Sequence, residues 1–228
     1  MTGGEYGRRV VDGLAARTVA VEAVVLDLYR PRLVVALRKP RRLVGPLRRW
    51  LAARRLPTHV VGDLNDGRSV ELLRRLAPDL IVLAGARILS ADVLSVPALG
   101  ALNAHPAHLP GFRGTGVVGR SILAGSPVAV TVHFASPDVD AGDVVERRLV
   151  PVELGDTLDS IQRRADLLCA EALADVAART ARGEMLPRQP QAEPGDVSRW
   201  LTPAERARAE ELVASGEVRR RYLEAAGG

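Results

Sequence analysis

Leu102-Asn103-Ala104-His105-Pro106-Ala107-His108-Leu109-Pro110-Gly111-Phe112-Arg113-Gly114 is the stretch on which the reading of this chain turns. Residues 98–103 are small and mostly apolar, which suits the end of a buried strand. Pro106, Pro110, Gly111 and Gly114 then exclude regular structure directly afterwards. The stretch reads as a strand running into an irregular loop, with a carboxamide and an imidazole at the strand's C-terminal edge. In open parallel α/β sheets ligands bind at that edge, where the helices turn away and leave a crevice.

Asn103 and His105 lie two apart, so on an extended chain their side chains point to one side and can meet one substrate. An amide donor beside a group that takes a proton suits addition of an amine to a carbonyl, where charge grows on oxygen as the amine loses its proton. A carboxylate to orient the histidine is still needed. Residues 128–134 read as a second strand, and the following loop, Ala135-Ser136-Pro137-Asp138-Val139-Asp140-Ala141-Gly142-Asp143, carries three acidic residues. Asp140, followed by Ala141-Gly142, is the candidate.

At these residues the sequence resembles the folate-dependent formyltransferases, whose pattern runs Asn-x-His-Pro-Ser-Leu-Leu-Pro, then Arg-Gly, then Thr-x-His and Asp-x-Gly. The counterparts here are Asn103, His105-Pro106, Leu109-Pro110, Arg113-Gly114, Thr131-Val132-His133 and Asp140-Ala141-Gly142. Leu83 to Ser90 resembles the segment whose main chain receives the pterin ring in that family. The likeness covers residues 3–186 and is strongest over 79–152. Three positions depart from it: Ala107 stands where Ser is usual, His108 where Leu is usual, and no proline closely follows Gly114.

The resemblance implies a Rossmann-like α/β fold, a mostly parallel sheet with helices on both faces. It implies an enzyme that moves the formyl group of 10-formyltetrahydrofolate to a primary amine of a small-molecule acceptor, with no metal. Asn103 and protonated His105 would stabilise the oxyanion of a tetrahedral intermediate, and Asp140 would hold His105. Arg87, Ile88, Leu89, Leu94, Ala101, Leu102, Pro137 and Asp138 fall on the reduced-folate side, and His108, Arg113 and Gly114 on the acceptor side. The Arg113-Gly114 form of the loop resembles amino-sugar and methionyl-tRNA formyltransferases. The glycinamide ribonucleotide enzymes use Gly-Asn-Gly-Ser-Asn near the N-terminus to hold a phosphate, and that signature is missing. Such an enzyme, a formyltetrahydrofolate hydrolase, and a non-catalytic folate- or RNA-binding module are the alternatives.

Composition sets wider bounds. A chain of 228 residues, 47% of them hydrophobic, can bury a sizeable core as one α/β domain. A single cysteine, Cys169, excludes an internal disulfide and fits a reducing compartment. No apolar run approaches the roughly 20 residues needed to span a bilayer, and no signal-peptide pattern opens the chain, so the expected location is cytoplasmic. The net charge of +5 invites a nucleic-acid reading, centred on the arginines between residues 38 and 55. Against it, Leu43, Leu47, Trp50 and Leu51 fall at helical spacing, which makes those arginines the solvated face of an amphipathic helix. Aromatic residues total only 3%, too few for base-stacking platforms.

In chain order, residues 1–7 read as a glycine-rich turn and 8–17 as a helix, with the usual first strand of such sheets absent. Strands are expected at 19–28, 33–37, 58–61, 79–84, 128–134 and 144–152. Helices are expected at 43–54, 69–76, 114–124 and 156–182, the last with Cys169 as a small core residue. The catalytic domain spans residues 1–186. Residues 187–228 form a Pro-rich linker and a helical tail from 201 to 223, suited to packing on the domain, covering an acceptor site or mediating a homodimer.

Overall fold

The computed structural model describes residues 3–28, 41–85, 87–192 and 195–227. It opens on α1 (Gly3–Ala16), followed by β1 (Val24–Asp27), α2 (Arg41–Ala53), β2 (Thr58–Val61) and α3 (Gly67–Leu76). The central part contains β3 (Ile81–Val82), α4 (Ala91–Leu94), β4 (Ala101–His105), β5 (Arg113–Gly114), α5 (Val117–Leu123), β6 (Ala129–Phe134) and β7 (Val144–Leu149). The long α6 (Leu158–Ala181), β8 (Val197–Ser198), α7 (Pro203–Ala214) and α8 (Glu217–Ala226) complete the chain. The strand proposed at residues 33–37 lies outside the described residues. Among the described residues, no helix is long and apolar enough to cross a membrane.

The architecture is α/β, as expected from the alternating pattern. β1 pairs with β2, and β3 with β4, both in parallel. Beyond β4 the direction reverses: β6 is antiparallel to β4 and β7 to β6, giving a four-stranded order of β3-β4-β6-β7. That reversal matters for the site, because it sets Asn103 directly opposite His133 and His105 opposite Thr131.

α6 packs against β4, β6 and α1. Its buried positions are rich in alanine, including Ala165, Ala170, Ala172, Ala174 and Ala177, so neighbouring backbones approach closely. A Cβ on Gly13 of α1 would lie 2.9 Å from that of Ala174. α1 begins five residues before the expected helix, and the glycine-rich turn is a correction. Tyr6, Val10 and Leu14 recur at four-residue spacing and pack into the main core, and this burial outweighs the poor helix propensity of the glycines. A smaller core of Leu64, Val70, Leu73, Leu83, Leu89 and Val93 lies beneath the loop after β3.

The basic helix behaves as its periodicity suggests, with Leu51 buried, Arg48 and Arg49 exposed, and the Arg54 guanidinium over the Trp50 ring. Two other expectations change. Residues 113–114 pair with β8 as a short strand, so α5 starts only at Val117, after Gly116 in left-handed conformation. The expected helix at 201–223 is two helices, broken at Gly216, whose φ is 78°. Thr202 caps α7 through a reciprocal box with Glu205, and Thr157 caps α6 in the same way with Ser160.

Candidate active site

Along β4 the side chains alternate as the period of two requires. Leu102 and Ala104 pack into the main core, while Asn103 and His105 lie on the opposite face and line a cleft of about 480 Å³. Thr131, opposite His105, pins the loop that follows: its Oγ1 donates to the Ala107 carbonyl at 2.6 Å and accepts the Leu109 N–H at 3.2 Å. The irregular stretch after the strand is therefore fixed by named bonds, and it includes a cis Leu109–Pro110 peptide.

Four polar side chains meet on this wall. His105, 5% exposed, has Nε2 2.9 Å from the Phe112 carbonyl and Nδ1 3.4 Å from Asp140 Oδ2. His133, 2% exposed, has Nδ1 2.8 Å from the Phe134 carbonyl, so that nitrogen carries the proton. Its Nε2 is then an acceptor and takes an N–H from Asn103 Nδ2 at 3.2 Å, with Asp140 Oδ1 3.8 Å away. The bond fixes which end of the Asn103 carboxamide is which and leaves its second N–H for another acceptor. His133, left open by the sequence between a substrate contact and a buried hydrogen-bonded residue, thus orients Asn103; the Thr-x-His motif was the signal for it.

Burial pushes the pKa of His105 down, against the upward pull of the Asp140 carboxylate and the Phe112 carbonyl. Burial does the same to His133. Burial thus draws both rings toward the neutral form. Removing an imidazolium from water costs more here than its neighbours return.

Asp140 is held in an unusual turn. Its φ is 48°, and its Oδ2 accepts the Gly114 N–H at 2.9 Å. A Cβ on Gly142 would lie 1.9 Å from the Phe134 carbonyl oxygen, so the Asp-x-Gly pattern reflects a backbone approach that admits only glycine. Gly114, with φ 90°, is equally constrained, since a Cβ there would lie 2.4 Å from the Ser198 carbonyl oxygen.

The cleft is lined by residues of the loop after β3 and of the 135–140 loop, together with Thr115, Val197 and Ser198. Arg87, Ile88, Leu89 and Asp138 line it as the sequence suggests. Arg87 pairs with Asp63 at 2.5 Å, whose carboxyl is held below the usual range by the Asn65 main-chain N–H and by that guanidinium. Asn65 staples the loop, donating to the Ile88 carbonyl and accepting the Ser90 N–H.

Other expected contacts lie elsewhere. Ala101 and Leu102 are core residues, Leu94 packs against the smaller core, and Pro137 is exposed beside the cleft without lining it. On the acceptor side, Gly114 lines the cleft but His108 and Arg113 do not. His108 is exposed. Arg113 is 8% exposed and donates to the Val139 carbonyl at 2.6 Å and the Gly195 carbonyl at 3.1 Å, so it ties these loops together. Val197 and Ser198 were missed because a Pro-rich segment reads as a linker, and pairing with Arg113-Gly114 has no local sequence signal.

Comparison with known proteins identifies the family. The family pattern described as formyl transferase matches residues 61–177. A methionyl-tRNA formyltransferase of Chloroflexus aggregans is 34% identical over 182 residues, 79% of this chain and 58% of that protein, so the chain spans less than two thirds of such relatives. Among solved structures, glycinamide ribonucleotide transformylase 1 from Symbiobacterium toebii shares the fold with a TM-score of 0.62 at 22% identity, covering 83% of this chain and 89% of that one. The formyltransferase PseJ from Anoxybacillus kamchatkensis, solved with a formamido nucleotide sugar and tetrahydrofolate, gives 0.56 at 21%, covering 84% and 98%. The matched span carries β4, β6 and the 135–143 loop, that is, all four side chains of the polar wall, and the chain belongs to the formyl transferase family.

Proposed function

We propose that this chain transfers the formyl group of 10-formyltetrahydrofolate to the primary amine of a small-molecule acceptor. The observation that carries the reading is the wall formed by Asn103, His105, His133 and Asp140 on one face of a cleft. The side of the cleft lined by Leu83, Ile88 and Leu89 joins apolar surface to the main chain of an irregular loop. Such a combination fits a flat heterocycle with polar edges. When bound, the folate supplies an electrophilic formyl carbon.

The chain's own residues do the rest. The amine's lone pair forms the new C–N bond while the Asn103 N–H left over from His133 takes the developing charge on the formyl oxygen. The amine's proton passes to Nδ1 of neutral His105, where Asp140 stabilises the resulting imidazolium, and is returned to the departing folate nitrogen. No covalent bond to the enzyme forms. His105 thus acts first as a base, in keeping with the downward pull of burial on its pKa.

A small acceptor is supported by the pairing of β8 with β5, which brings Val197 and Ser198 into the lining of the cleft. An aminoacyl-tRNA amine is the second reading, favoured by the methionyl-tRNA formyltransferases among the relatives. An amine panel with 10-formyltetrahydrofolate, read by mass spectrometry, tests both: amino sugars, glycinamide ribonucleotide and methionyl-tRNA are offered in parallel, and formate release is followed. Formamide formation on a small amine is expected. Formylation of methionyl-tRNA alone would replace the first reading with the second, and formate without any formamide would make the enzyme a hydrolase.

A further inference from the structure

Residues 187–192 and 195–198 lie beyond the span matched to the family, yet they are bonded to both sides of the Asp140 turn. On the exit side, Gln189 and Val144 exchange main-chain hydrogen bonds of 2.9 Å each. On the far side, β8 pairs with β5 through Gly114, whose N–H holds Asp140. Between these attachments the Gln191 carboxamide donates to the Asp140 carbonyl at 2.9 Å and to the Gly142 carbonyl at 2.7 Å. Its Oε1 is buried without a hydrogen-bond partner.

A carboxamide that gives both N–H groups to one three-residue turn, and leaves its oxygen unsatisfied in doing so, is oriented by that turn. The turn needs such a clamp. Asp140 sits at a φ that side chains rarely adopt, and it must present Oδ2 to His105 and to Gly114 simultaneously. We propose that Gln191 is a positioning residue: by holding the Asp140 and Gly142 carbonyls, it sets the distance between Asp140 and His105 and so the proton affinity of the catalytic imidazole. The effect on turnover rests on the formyl-transfer reading; the effect on His105 does not.

The test therefore has two arms. Gln191→Met keeps the side chain's length and removes both donors; Gln191→Glu keeps its shape and, when ionised, cannot donate. Gln189→Leu, which retains the main-chain bridge and loses an exposed side-chain contact to Arg147, is the control on the same strap. In the first arm the His105 ring is titrated by NMR. Asp140 raises the pKa of His105, so loosening Asp140 should move the titration to lower pH in Gln191→Met and leave the control at the wild-type value, while in Gln191→Glu the added carboxylate pulls the other way and the shift is smaller.

In the second arm, steady-state kinetics should show kcat falling by up to about 10²-fold, the scale of a small misplacement of a catalytic group, with KM for the folate donor little changed. A purely structural role would instead lower the yield of active protein with kcat per folded molecule intact. An unshifted His105 titration in folded Gln191→Met overturns the proposal whatever the kinetics show. If wild type formylates no amine, the functional reading fails and the titration alone decides. If neither Gln191 variant folds while the control does, the residue serves the fold and the proposal is likewise overturned.

Discussion

Each group on the polar wall has a distinct expected signature. If Asn103 and His105 act on the reacting centre, their loss should lower turnover far more than folate affinity, because those interactions strengthen mainly in the transition state. His105→Ala is expected to be most severe, with Asn103→Ala reduced about 10²- to 10³-fold, the usual effect of losing one oxyanion donor. Asp140→Asn should be comparable, and double variants should resemble the worse single one. Thermal midpoint, 5-formyltetrahydrofolate affinity by calorimetry and single-turnover rate, measured on the same samples, check this; near-normal turnover by folded His105→Ala would sink the mechanism. His133 makes a finer point. Since Nδ1 gives its proton to the Phe134 carbonyl, Nε2 must accept from Asn103, and His133→Phe would fill the space without fixing the carboxamide. It should approach the kinetic loss of Asn103→Ala while donor KM changes little; wild-type kcat in this variant would show that Asn103 orients itself.

At the scale of elements, the strands with the strongest patterns were legible, and so was the edge from which Asn103 and His105 project, because a two-residue period with Pro and Gly punctuation is a local signal. Two features were not. The helical start of α1 depends on contacts with α6, more than 140 residues away in sequence, and no window of residues 1–7 contains them. The strap over the Asp140 turn was hidden for the same reason: its Pro-rich composition describes a chain without regular structure, while its bonds go to Gly114, Asp140, Gly142 and Val144. Arg113 adds long-range bonds of the same kind, donating to the Val139 and Gly195 carbonyls. The α1–α6 contact gives a direct test. Gly13→Val would drive side-chain atoms into Ala174, already 2.9 Å from the position of a Cβ, and overpacking of this kind costs about 1–3 kcal/mol. Urea denaturation should report a lowered midpoint with little change in slope; an unchanged midpoint would mean that α1 is not held against α6 in solution.

For the whole molecule, the buried histidines tie stability to pH. His105 and His133 both have pKa values pushed below the ordinary histidine value, chiefly by burial. An unfolded histidine titrates near about 6.5, so just below that pH the unfolded chain binds protons that the folded chain refuses. Stability therefore falls as pH drops from 6.5 toward the folded values, and rises with pH through the same window. The carboxylates act in a separate and lower range. Asp156, held at about 2 first by Arg164, with Ser160 and the Glu153 N–H also bonded to it, favours folding above the unfolded carboxyl pKa and loses that contribution as pH falls toward 2. Acid unfolding should consequently have two limbs, one beginning below about pH 6.5 and a second below about pH 4. Urea midpoints between pH 8 and pH 3 measure both, and His133→Phe should flatten only the upper limb, because it removes a ring that the fold keeps neutral. A midpoint constant from pH 8 to pH 5 in wild type would mean that the histidines are as free to take protons in the folded protein as in the unfolded chain. His105 would then be a poorer candidate for a neutral base poised to receive the amine's proton.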